Sequence, residues 1–203
     1  LLAARHGKKT LGTTELEEAV ERVIAGPQRK SRVMVEKEKE IVAYHEVGHA
    51  LVAAYCDKTN PVHKISILPR GRALGYTLQL PDIDKHLISR TEILSQMKTL
   101  LGGRIAEDIT FNEITSGASN DIERVTELAR QFVCVYGMSD KLGPRKYGSN
   151  GGEVFLGRQM SDNTKEYSES TANAIDEEIQ TLITEAYADA TKILTDHRDQ
   201  LES

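Results

Sequence analysis

Apolar positions recur at helical spacing along most of this chain and alternate only briefly near its middle. Residues 1–26 read as helical. Thr14-Glu15-Leu16-Glu17 has the spacing of a capping box, and Leu16, Ala19, Val20 and Val23 follow at helical intervals. Gly26-Pro27 ends that stretch, since Gly suits a helix C-terminus and Pro cannot continue it. Residues 27–35 form a polar, basic connector. A second helix is predicted from Glu36 to about Cys56. Ile41, Val42, Tyr44, Ala50, Leu51, Val52 and Ala54 make it apolar over most of its circumference, the mark of a buried helix. After Asp57-Lys58-Thr59-Asn60-Pro61 the period drops to two. Residues 62–68 and 74–80 read as short strands, separated by a turn at Pro69-Arg70-Gly71-Arg72 and closed by Pro81.

The second half returns to helices. Ser89-Arg90-Thr91-Glu92 is another capping box, opening a helix with Ile93, Leu94, Met97, Leu100 and Leu101 on one side. Gly102-Gly103-Arg104 permits tight packing and also reads as a break, with Glu107 ending a helix soon after it. A polar loop over 111–119 leads to a helix capped by Ser119 or Asn120, whose apolar side is Ile122, Val125, Leu128, Ala129, Phe132 and Val133. Residues 137–160 are irregular, with a Gly-rich run at 148–152. A long helix carrying Ile175, Ile179, Leu182, Ile183, Ala186, Ala190 and Leu194 closes the chain. The expected fold is mainly α, an α+β helical domain with a small β-sheet.

Composition narrows the class. At 203 residues the chain is long enough to bury a core. Hydrophobic residues at 39%, aromatics at 5% and charged residues at 28% suit a helix-rich protein rather than a β-sandwich. A net charge of −5 gives no footprint for nucleic acid. Cys56 and Cys134 form no CxxC pair and read as small hydrophobes in a reducing compartment. No stretch has the length of a membrane span or the layout of a signal peptide. Gly7-Lys8-Lys9-Thr10 lacks the earlier Gly of a phosphate-binding loop, because Leu2 stands there. The opening at Leu1, inside an apolar pattern, suggests a piece of something longer.

The chemistry gathers in Tyr44-His45-Glu46-Val47-Gly48-His49-Ala50. Helix positions i and i+4 share a face, so His45 and His49 can aim two imidazoles at one metal ion. Glu46 lies about 100° round the helix, placed for a general base rather than a ligand. This is the HExxH pattern of zinc peptidases. Two histidines and a glutamate on an apolar helix need a partner once buried, and a metal supplies it. Gly48 costs about 1 kcal/mol against Ala inside a helix, a cost consistent with another backbone passing close by.

A catalytic zinc usually takes three protein ligands and one water. The HExxHxxGxxH pattern is excluded, because Val52 and Tyr55 occupy its last two positions. His63, alone on a strand, reads as structural. Glu107, Glu113 and Asp121 then compete for the third place. Residue chemistry favours Asp121 only mildly, for its rigid position in the first turn of a helix, where the dipole also favours a carboxylate.

The joint set of Ile41-Val42-Ala43-Tyr44-His45-Glu46-Val47-Gly48-His49-Ala50, Pro69-Arg70-Gly71-Arg72-Ala73-Leu74-Gly75, Leu101-Gly102-Gly103-Arg104-Ile105-Ala106-Glu107 and Thr115-Ser116-Gly117-Ala118-Ser119-Asn120-Asp121 resembles the FtsH family of membrane-anchored, ATP-dependent zinc metalloproteases. The likeness runs in order along nearly the whole chain. Val47 departs from the Ala found in many relatives. The resemblance implies zinc held by His45, His49 and Asp121, with Glu46 as general base. It places Glu107 close to the metal, where a carboxylate orients a ligating histidine. Residues 1–26 would be the end of an AAA+ lid, 27–35 a linker and 36–203 the zinc peptidase domain. ATP would bind only in an ATPase part that this chain lacks. Polypeptide substrates, a homo-hexamer and attachment to a membrane through missing N-terminal segments are further implications. The implied location is the cytoplasmic face of a bacterial inner membrane, or an organelle membrane. Two rivals are a ring-assembly module with a structural metal and a peptidase that needs no motor.

Overall fold

The computed structural model describes residues 2–5, 7–24, 26–28, 34–70, 74–80, 87–147 and 167–203. Arg29–Arg32 of the basic connector, Gly71-Arg72 of the expected turn, Pro81 and the Gly-rich run at 148–152 lie outside the described residues.

The elements follow one another as α1 (Leu2–Arg5), α2 (Thr13–Ile24), α3 (Glu36–Tyr55), β1 (Val62–Ser66), β2 (Tyr76–Gln79), α4 (Arg90–Phe111), α5 (Ser119–Arg130), α6 (Glu169–Asp196) and α7 (Arg198–Leu201). The expected mainly α, α+β class holds, with one antiparallel pair of strands among the described residues. In that pair Ile65 faces Thr77 and Ser66 faces Tyr76, and a bulge lies between Val62 and Lys64. His63 sits at this bulge, exposed and outside the metal-ligand group.

Helix α4 starts where the sequence places it. Ser89 Oγ accepts from Glu92 N at 3.3 Å, and Glu92 Oε2 accepts from Ser89 N at 2.8 Å, satisfying two otherwise orphaned donors. The helix then runs unbroken through Gly102-Gly103 to Asn112, which caps it in the left-handed region. The two glycines serve the tight packing expected of them, and the expected break is absent. A Cβ on Gly48 of α3 would stand 2.4 Å from Gly102 O, and one on Gly102 would stand 2.6 Å from Gly48 O. The two backbones touch where the helices cross, which accounts for a glycine inside α3. Helix α6 lies across α4, with further contact to α3 and α5. Val52, Ile93, Met97, Ile105, Phe132 and Leu194, all but inaccessible to solvent, form the centre of the core.

Two local expectations are corrected. Thr115, not Ser119 or Asn120, supplies the capping oxygen near α5, accepting from Gly117 N ahead of a single 3-10 turn over Ser116–Ala118. The first helical stretch is split, and Glu15, three residues after Gly12, accepts from Gly12 N at 2.9 Å. On α2 the buried residues are Glu15 and Glu21, while Leu16, Val20 and Val23 are exposed.

Candidate metal centre

Three elements meet at one point. Helix α3 carries His45, Glu46 and His49; α4 passes behind them; the first turn of α5 brings Asp121. Gly103 of α4 makes room, since a Cβ there would stand 2.6 Å from both Nε2 atoms. Any larger residue at 103 would fill the space in which the imidazoles lie.

The hydrogen bonds behind the rings fix what faces forward. His49 Nδ1 donates to Thr99 O at 2.7 Å, and a carbonyl can only accept, so the proton is on Nδ1. His45 Nδ1 pairs with Glu107 Oε1 at 2.6 Å, and Glu107 Oε2 accepts from Thr115 N at 2.8 Å. Both Nε2 atoms are thereby turned toward each other and toward Asp121. They are 3.0 Å apart, and Asp121 Oδ2 is 3.3 Å from His45 Nε2 and 3.4 Å from His49 Nε2.

This arrangement calls for positive charge. Three lone-pair-bearing atoms converge on one point, and a single proton can serve only one contact at a time. Ligand atoms 2.0–2.1 Å from a tetrahedral zinc stand about 3.3 Å apart, close to the separations observed. The donor set of two imidazoles and a carboxylate suits zinc. The side chains of His45 and His49 are each 12% exposed and that of Asp121 16%, so the point of convergence borders solvent. Among the described residues no further His, Cys, Asp or Glu joins the group.

The same demand appears in the titration of the groups. Burial alone would lower the His45 imidazole, but hydrogen bonds with Asp121 and Glu107 and the charge of Glu46 raise it to about 9. Burial alone would raise Asp121, yet its hydrogen bonds with His45 and His49 hold it far below the usual carboxylate range. Glu107 is also opposed by burial and also lowered, by His45 and the Thr115 backbone. Glu46 moves the other way: burial raises it, against the lowering pull of His49 and of a hydrogen bond from Thr77. A buried carboxyl with a raised pKa is a better proton acceptor than an exposed one.

Of the three competing carboxylates, Asp121 joins the histidines, Glu107 stands behind His45, and Glu113 is exposed and outside the group. Residue reasoning missed Thr99, Gly103, Thr115 and Thr77. Thr99 and Thr115 act here through main-chain atoms, which leave no mark in a sequence. Gly103 was visible as a glycine inside an apolar helix, though without the partner that explains it.

The sequence model described as peptidase family M41 matches residues 32–203. The chain belongs to this family. It is 54% identical over 203 residues to the ATP-dependent zinc metalloprotease FtsH of Pseudothermotoga lettingae, covering all of this chain and 32% of that protein. It is 51% identical over 204 residues to the protein of the same name from Thermotoga maritima, covering 33% of it. Against the one from Rubrobacter xylanophilus it is 52% identical over 202 residues, covering 31%. The resemblance to FtsH is thus borne out, and membership of M41 places the chain among metallopeptidases. The chain spans about a third of the length of these curated relatives.

Proposed function

We propose that this chain is a zinc-dependent endopeptidase, with the metal held by His45 Nε2, His49 Nε2 and Asp121. The observation that carries the reading is the meeting of those three ligand atoms within 3.0–3.4 Å of one another, with the carboxyl of Glu46 on the next helix position. Zinc, when bound, supplies a Lewis acid that polarises a carbonyl and makes a water ligand more acidic. Glu46 then accepts a proton from the attacking water and delivers it to the leaving nitrogen as the peptide C–N bond breaks. Glu107 and the Thr99 carbonyl hold the two rings in the tautomer that ligation needs. Strand β2, beside Glu46, is placed for main-chain pairing with an extended, unfolded substrate.

The similarity to FtsH supports a wider assignment. Residues 1–26 are the end of an AAA+ lid, 27–35 a linker and 36–203 the peptidase domain of an ATP-driven, membrane-anchored homo-hexamer acting on polypeptides at the cytoplasmic face. Among the described residues no helix is long and apolar enough to cross a membrane. The reading as an assembly module with a structural metal is weaker, because such sites are normally closed by four protein ligands.

Metal analysis with a casein-cleavage assay tests the core of the proposal. Glu46→Gln should keep one zinc per chain and lower cleavage by about 10²- to 10⁴-fold. Asp121→Asn should lose zinc, whereas Glu107→Gln should only weaken its binding. Chelation should abolish cleavage and zinc restore it. Cleavage that survives in Glu46→Gln, or zinc that survives in Asp121→Asn, would remove the roles given to those residues.

A further inference from the structure

The carboxyl group of Glu46 lies against β2 and the residue just ahead of it. Its Oε2 accepts from Thr77 Oγ1 at 2.8 Å. A Cβ on Gly75, just ahead of β2, would stand 2.8 Å from its Oε1, so the backbone there lies against the second oxygen. Among the described residues Thr77 is the hydrogen-bond donor to this side chain. Thr77 Oγ1 also lies 3.0 Å from the main-chain oxygen of Glu46, a second acceptor for the same hydroxyl proton. A hydroxyl has one proton and free lone pairs. It can donate to a bare carboxylate, or turn to the main-chain oxygen and accept from a carboxyl that holds a proton. No proton passes between the two side chains in either arrangement.

We propose that Thr77 is a positioning residue: its hydroxyl, carried on β2, fixes the carboxyl of Glu46 in the orientation that proton transfer requires. The proposal rests on the reading of Glu46 as general base. A glutamate has several rotatable bonds, and misplacing a reacting group by an ångström is costly to rate. A threonine merely satisfying its own hydroxyl on a half-buried strand would contribute to stability and leave turnover per bound substrate unchanged.

The test measures kcat and KM on unfolded casein, together with zinc content, for the zinc-loaded chain with Thr77→Val, Thr77→Ser, Glu46→Gln, Glu46→Asp and the Thr77→Val/Glu46→Asp pair. Losing a hydrogen bond to a charged group should lower kcat by about 10- to 100-fold in Thr77→Val. KM and zinc content should hold, and Thr77→Ser should recover most of the loss. Glu46→Asp withdraws the carboxylate from the hydroxyl, so Thr77→Val should cost little more on that background. Wild-type kcat in Thr77→Val beside an inactive Glu46→Gln would overturn the proposal while leaving the base in place. So would a full additional loss on the Glu46→Asp background, or an effect confined to KM. Activity in Glu46→Gln would instead remove the underlying reading. A crystal structure of Thr77→Val decides the matter where turnover is too low to measure: a displaced Glu46 carboxyl supports the role, and an unmoved one ends it.

Discussion

Helices α2 and α4 both carry apolar residues at helical spacing, yet the fold treats them oppositely. On α4, Leu101 is 4% exposed, packed among residues of the central core. On α2, Leu16 is 56% exposed, and the buried positions are Glu15 and Glu21. Helix α4 is held by apolar contact with α3 and α6. Helix α2 is tied by ions: Glu21 accepts from Arg70 Nη2 at 2.7 Å and pairs with Lys64 on β1. Periodicity marks which face of a helix is apolar, but says nothing about what covers it. A segment held by a few polar contacts also has less to lose locally than one in the core.

The sharpest way to break this comparison is at the helix crossing. Gly48→Val forces a branched side chain into the backbone of α4, where even a Cβ would stand 2.4 Å from Gly102 O. The expected loss is about 5 kcal/mol or more, enough to abolish a cooperative transition in chemical denaturation. A wild-type midpoint would mean that the two backbones do not touch.

Next come two matched truncations. Leu101→Ala should cost about 3 kcal/mol, from lost burial and the cavity left behind. Leu16→Ala should stay within about 0.5 kcal/mol, as an exposed substitution does. Equal shifts in denaturation midpoint would show that α2 is covered in solution.

A smaller effect concerns the ionic tether. The hydrogen bond from Lys64 lowers Glu21 below its ordinary 4.5, against the opposing effect of burial, with Arg70 adding to the lowering. A depressed folded pKa means that the tether is fully present above about pH 4.5 and is lost as pH falls through the folded value. Lys64 is raised above 10.5 by its bond to Glu21, so its share is complete below that pH and is lost as pH climbs through the raised value. Hydrogen-exchange protection factors on α2, taken relative to the intrinsic exchange rate at each pH, should therefore fall in acid while those on α4 hold. Glu21→Gln should weaken the protection by on the order of 1 kcal/mol at neutral pH. Protection of α2 that ignores both changes would show that something other than these ions holds it.

Much of the fold was legible from local chemistry. The capping box at Ser89 and the apolar circumference of α3 placed two central helices to within a residue or so. The histidine pair needed only the geometry of a single helix. The glycines were half legible: close packing at Gly48 and at Gly102-Gly103 was expected, but Gly102-Gly103 also resembles a helix break in a chain read one segment at a time. Their meaning lies in Gly48 and in the imidazoles, which come from another helix.

What the sequence determined by itself was therefore the helical and extended periods, the chemistry of His45, Glu46 and His49, and the family. Those properties reside in neighbouring residues, a turn or two apart. Residue chemistry left three carboxylates open and the family resemblance implied Asp121; tertiary structure shows it facing the two Nε2 atoms, and alone decided which main-chain oxygen fixes the His49 tautomer and which strand meets the Glu46 carboxyl. It also decided that α2 buries Glu15 and Glu21. Each of these depends on how far apart whole elements pack, a distance that backbone contact between glycines and the shape of the core set, and that no local pattern encodes.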